Sequence, residues 1–201
     1  MEKKIITISR EFGSGGRTVG RLVAEKLGIA FYDKELVQKI AVESGFAPNF
    51  IEENVEHTSA LSFLTYAFSQ QTMLGAAGQG MSTTDYLWSA QCKVILELAE
   101  KGPCVIVGRN ADNILKDRDD CLHVYIHADM DFRTKRIVHL YGSSNKKTPE
   151  ARLAEKDRQR RSNYHHYTGK TWGDAHNYDI CLCTSTLGIE NCADMIVNLL
   201  K

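Results

Sequence analysis

The chain has 201 residues, and its 25 Lys and Arg balance 25 Asp and Glu, so the formal net charge is zero. That balance excludes a global pull toward nucleic acid or an anionic membrane surface. The length fits one domain with room for a small insertion. Hydrophobic residues make up 43% of the chain, which is ordinary for a globular protein, and no apolar run reaches the length of a membrane span. The opening Met-Glu-Lys-Lys and its four β-type residues are too short for a signal peptide, so a cytoplasmic location is expected. The cysteines at 92, 104, 121, 181, 183 and 192 contain no Cys-x-x-Cys pair. They read as reduced, mostly buried small hydrophobes, and a zinc site is not expected.

Residues 5–8 are a short apolar run of strand type. Gly13, Ser14, Gly15 and Gly16 follow. From Arg17 the apolar positions Val19, Leu22, Val23 and Leu27 recur with helical period, and Gly28 is a natural stop. Strand, glycine loop and helix in this order aim several backbone N–H groups into one concavity at the positive end of a helix dipole, which suits phosphate. Against the phosphate-loop pattern G-x-x-x-x-G-K-[ST], anchored on Gly16, the chain has Glu11 for the first glycine, Arg17 for the lysine and Thr18 in the hydroxyl position. Arg17 is then the cation for β- and γ-phosphates, and Thr18 the candidate magnesium ligand. A rival is the dinucleotide fingerprint G-x-G-x-x-G. Gly13 and Gly15 fit it, Thr18 replaces its third glycine, and Asp33 stands where a ribose-binding acid is expected.

Residues 31–36, Phe-Tyr-Asp-Lys-Glu-Leu, read as the end of a second strand and the start of a helix, with Asp33 as its cap or facing an acceptor. Residues 35–100 read as a mainly helical insertion, with breaks at Gly45, Pro48 and Asn49 and a Gly/Ser/Thr-rich loop over 75–84. The aromatics Phe63, Tyr66, Phe68, Tyr86 and Trp88 are expected in the core. Residues 104–107 form a continuous apolar run, typical of a buried parallel strand. Arg109 and Asp112 follow at its carboxyl end, where open α/β sheets bind ligands. Residues 122–127 give a further strand, and Asp129 caps a helix through Arg133, Arg136 and Leu140. Pro149 suits the first turn of the next helix, which carries the charged run 152–161. That run is either a solvated face or a set of arginines closing on transferred phosphates. His165 and His166 are adjacent, so one metal would not take both. Residues 178–184 form the last strand, and 187–200 a closing amphipathic helix. The alternation predicts an α/β fold: a parallel sheet of about five strands with helices on both faces, in a single domain.

The segments Ile8-Ser9-Arg10-Glu11-Phe12-Gly13-Ser14-Gly15-Gly16-Arg17, Phe31-Tyr32-Asp33, Val107-Gly108-Arg109-Asn110-Ala111-Asp112, Asn177-Tyr178-Asp179 and Thr184-Ser185 resemble the cytidylate kinase-like family of nucleoside monophosphate kinase-like proteins. The resemblance implies a phosphate loop from Gly13 to Thr18 and an acceptor-binding insertion at about 35–100. It also implies a lid at about 142–170. Asp33 and Arg109 would meet the acceptor, with Asp112 nearby, and Arg158 and Arg161 would be the lid arginines. The reaction implied is γ-phosphoryl transfer from ATP, with Mg2+, to a nucleoside monophosphate. Nucleotides are then the expected partners, with no nucleic acid or membrane. Authentic cytidylate kinases carry lysine at Arg17, glycine at Glu11, and Asp-Gly-Arg-Asp in place of Val107-Gly108-Arg109-Asn110.

Overall fold

In the computed structural model, residues 4–46, 83–144 and 146–200 are described. Five strands form one sheet: β1 (Ile5–Arg10), β2 (Ala30–Tyr32), β3 (Cys104–Val107), β4 (Cys121–His127) and β5 (Ile180–Cys183). Their order is β2-β3-β1-β4-β5, and every pairing is parallel. This is the parallel α/β sheet expected from the alternation of runs. Chain order reverses direction beside β1, which lies between β3 and β4, and an open sheet parts there to form a crevice at its carboxyl edge.

Period-two alternation divides the strands between two cores. Ile5, Cys104, Ile106 and Cys121 face one side. They pack there on Leu36 and Ile40 of α2 (Lys34–Ser44) and on Val94, Ile95 and Leu98 of α3 (Thr83–Glu100). Ile6, Ile8, Val105, Val107, Val124 and Ile126 face the other. Their partners are Val19 and Val23 of α1 (Gly16–Leu27) and Ile196 and Val197 of α8 (Ile189–Asn198). Each such side chain contributes about 1.5–3 kcal/mol relative to exposure. Among the described residues the other α-helices are α4 (Ala111–Ile114), α5 (Met130–Tyr141), α6 (Pro149–Thr168) and α7 (Thr184–Leu187).

Several expected punctuation marks are in place. Gly28 ends α1 in a left-handed conformation, the Asp129 carboxylate accepts from Phe132 N at 3.0 Å, and Pro149 opens α6 behind the Thr148 cap. Asp33 differs: it stands at the N-cap position of α2 but makes no capping bond, because its carboxylate is engaged by Arg17. The aromatics Phe63, Tyr66 and Phe68 and the stretch 75–82 lie outside the described residues, as do Pro48 and Asn49. Thr83 and Thr84, expected in that loop, open α3. Among the described residues no helix is long and apolar enough to cross a membrane. Cys104, Cys121 and Cys192 are buried and Cys181 is exposed, all as free thiols.

Candidate active site

The glycine loop leaves β1 and turns into α1 at Gly16, one residue earlier than the expected Arg17. Gly13 and Gly15 hold φ of 81° and 84°, values that side chains rarely adopt. Gly15 is therefore the last loop glycine, and the next position, lysine in the reference pattern, is Gly16. The expected anchoring thus shifts by one residue. The first N–H groups of a helix have no partner within it, so the start of α1 presents unpaired amides together with the positive end of its dipole.

The loop is held from behind. Ser14 is fully buried, and its hydroxyl donates to the carbonyls of Glu11 at 2.9 Å and Ile126 at 3.2 Å. Thr184, at the start of α7, donates to Ser14 O at 2.5 Å. Ser185 Oγ accepts from Asp129 N at 3.1 Å and fixes the entry to α5. Arg133, on α5 and 5% exposed, gathers the loop's first residues. It donates to Phe12 O at 2.8 Å, lies 3.1 Å from the Glu11 carboxylate, and pairs with Asp157 of α6. Asp157 in turn accepts from Phe12 N at 2.8 Å. Glu11, at the pattern's first glycine, is thus the counter-ion of a buried arginine. One turn on, Arg136 Nη2 donates to Thr18 Oγ1 at 2.8 Å.

Arg17 is half exposed and pairs with Asp33 at the end of β2. Those two expected site residues meet each other, rather than one reaching a donor and the other an acceptor. With Arg136 on the Thr18 hydroxyl, a dication there would face a guanidinium, so this arrangement does not fit a magnesium ion held by Thr18. Among the described residues, no group of three His, Cys, Asp or Glu is arranged to hold a metal.

Across β1, a cleft is lined by Ser9, Arg10, Gly108, Arg109, Asn110, Arg160, Asn163 and Trp172. Arg109 and Asn110 both sit at positive φ, 59° and 55°. Each such residue costs about 1–3 kcal/mol, and strain of this kind gathers at ligand sites. Gln91 Nε2 holds Arg109 O at 2.8 Å, and Asn110 Nδ2 bonds Asn163 Oδ1 at 2.9 Å. Trp172 closes one wall and donates to Ser9 Oγ at 3.1 Å. Arg160 Nη1 donates to Arg10 O at 3.1 Å, while Arg160 Nε and Asn163 Nδ2 are buried donors with no partner among the described residues. Buried donors beside several guanidinium groups suit an anion.

Arg109 therefore lines the cleft as expected from its place after β3. Asp112 lies behind it, 5% exposed, accepting from Tyr164 OH at 2.7 Å. Burial pushes the Asp112 carboxyl up to about 6. Its partner is a side chain of α6, so it braces the helix rather than facing the cleft. Arg158 and Arg161 lie on the exposed face of α6. The arginines that α5 and α6 turn inward are Arg133, Arg136 and Arg160, which the charged run did not single out. Asp157, Arg160 and Tyr164 share one face at spacings of three and four, and that periodicity was the available signal.

A model of the cytidylate kinase-like family matches residues 5–186. The chain belongs to the cytidylate kinase-like family. No curated protein matches this family member. It is similar to a solved but uncharacterized protein from Eubacterium ventriosum, at 28% identity and a TM-score of 0.72, covering 98% of each chain. Two shikimate kinases share the fold. The Acinetobacter baumannii enzyme, solved with shikimate, has 17% identity and a TM-score of 0.54, over 98% of this chain and 93% of that one. The Bacteroides thetaiotaomicron enzyme has 14% identity and a TM-score of 0.55, over 98% and 97%.

Proposed function

We propose that this chain is an ATP-dependent phosphotransferase moving the γ-phosphoryl group to a nucleoside monophosphate, cytidylate first among them, or to a similarly small anionic acceptor. One observation carries the reading: a glycine loop at a helix start opens beside a cleft with Arg10, Arg109 and Arg160 on its walls. The amides from Gly13 to Thr18 hold the donor phosphates, and Arg109 and Arg160 hold the acceptor's anion. A monophosphate oxygen arrives deprotonated and needs no general base. Its bond to the γ-phosphorus forms as the bond to the β–γ bridging oxygen breaks, and ADP leaves with the electron pair. Such transfer depends on positioning and charge neutralisation. Magnesium would enter with the triphosphate and would supply charge neutralisation there, with no ligand from Thr18. The helices α2 and α3 fall within the acceptor insertion of about 35–100, and α6 belongs to the lid of about 142–170.

ATP titration paired with coupled ADP release over a panel of monophosphates tests this. Saturable ATP binding with release that depends on one acceptor is the expected result. Tight ATP binding without turnover on any acceptor would mark a regulatory nucleotide-binding module, a reading favoured by the missing lysine at Gly16. Saturable NADH binding that ATP does not displace would restore the dinucleotide reading. The Arg17–Asp33 pair weakens that one, because the acid is already engaged.

A further inference from the structure

We propose that Arg10 is the catalytic cation of the loop, standing in for the lysine that position 16 lacks. The inference rests on the phosphotransferase reading and assigns the charge at its centre.

The first helical residue can carry no side chain. A Cβ on Gly16 would lie 2.5 Å from Arg10 Cβ, 3.0 Å from its Cγ and 3.2 Å from Ile126 Cβ. The stem of Arg10 therefore occupies the space from which a lysine at 16 would start. The same side chain ends at the turn after β3. A Cβ on Gly108 would lie 1.8 Å from Arg10 Nη1 and 2.9 Å from Cζ. Gly108 also has φ of 74°, and its amide donates to Ile8 O at 2.9 Å, which holds that turn tight against β1. Arg10 thus runs from the donor loop at Gly16, where its Cβ leaves no room for a side chain, to the acceptor cleft at Gly108, whose φ of 74° favours glycine.

Position decides its role. Arg17 lies on the β2 side beside Asp33, and Arg136 lies beside Thr18. Arg109 and Arg160 belong to the cleft, where the buried donors Arg160 Nε and Asn163 Nδ2 suit an anion. Arg10 spans both. A phosphoryl group in transit from a donor on the loop to an acceptor in the cleft passes its guanidinium, where charge on the equatorial oxygens is greatest. A guanidinium is always protonated and presents a planar fork, so it serves here as the lysine ammonium does elsewhere.

The test uses the full chain with ADP alone and with ADP plus aluminium fluoride, which imitates the phosphoryl group in transit. Calorimetric titration is run on the parent, Arg10→Ala, Arg10→Met and the exchange variant Arg10→Gly/Gly16→Lys. Arg10→Met keeps the stem over Gly16 and carries the test if the alanine variant fails to fold. The expected result is an ADP affinity within about threefold of the parent, with at least tenfold loss for ADP–aluminium fluoride in the Ala and Met variants. Recovery of most of that loss is expected in the exchange variant, whose lysine then has room. Parent-like aluminium fluoride affinity in Arg10→Met overturns the assignment, as does a parent that binds ADP with no gain from aluminium fluoride. A parent that binds neither ATP nor ADP removes the phosphotransferase reading itself.

Discussion

Arg133 shows how much one buried charge organises. Its guanidinium serves Glu11, Asp157 and the Phe12 carbonyl at once, so the loop cannot shift without α5 and α6. Replacing one partner of a buried ionic cluster leaves the others uncompensated, at a cost of about 3–5 kcal/mol. Arg133→Met should lower the unfolding free energy by that amount in urea titration. Replacing Arg158 or Arg161, both on the solvated face, should change it by less than about 0.5 kcal/mol. Asp112 has a different signature. Its folded pKa, about 6, lies above the ordinary aspartate value of 3.8 because burial disfavours the charged form. The folded state therefore holds the proton more tightly. The associated stability is complete below the unfolded pKa and is lost as pH rises through 6, by of order 3 kcal/mol. Asp112→Asn should remove that fall between pH 4 and 7, read by denaturant titration at each pH.

Among the elements, the sheet was largely legible and the helix faces were not. Runs such as residues 104–107 are apolar because strands buried on both sides must be, and that pattern is local. Which side of a charged helix looks inward depends on what packs on it. Residues 152–161 alternate charges so densely that Arg158 and Arg160 look equivalent in one dimension. Contacts distant in sequence turn Arg160 toward the cleft: Asp157 on Phe12 N, Asn163 on Asn110, Tyr164 on Asp112 and Arg160 itself on Arg10 O. The loop register was missed by one residue for a related reason. Glycine at both 15 and 16 hides the helix start, and Arg10 on the neighbouring strand reveals it. One contact between elements also predicts a coupling. Trp88 of α3 stacks on Tyr167 of α6, ring centroids 4.2 Å apart and 6° from parallel, and Tyr167 OH donates to Thr84 O at 3.2 Å. Such a pair is worth about 0.5–1.5 kcal/mol beyond its buried area. Trp88→Ala should speed amide exchange in the last turns of α6 while leaving that of β1 and β4 unchanged.

For the whole molecule, the two cores flank a sheet whose carboxyl edge carries both the loop and the cleft. A ligand that binds only the folded state stabilises it by mass action, about 2.7 kcal/mol at one hundred times its Kd. ATP should therefore raise the melting temperature in a concentration-dependent way, and Gly15→Val should abolish the rise, since a β-branched residue does not hold the φ of 84° that shapes the loop. A melting point unmoved by ATP in the parent would contradict a donor site on the loop. The chain has two tryptophans, and one of them, Trp172, is buried in the cleft wall with its indole N–H on Ser9. The protein thus carries its own optical probe at the place where an acceptor would dock. In a Trp88→Phe background the remaining indole emission should shift as candidate acceptors are titrated, which permits a label-free screen before any turnover is known.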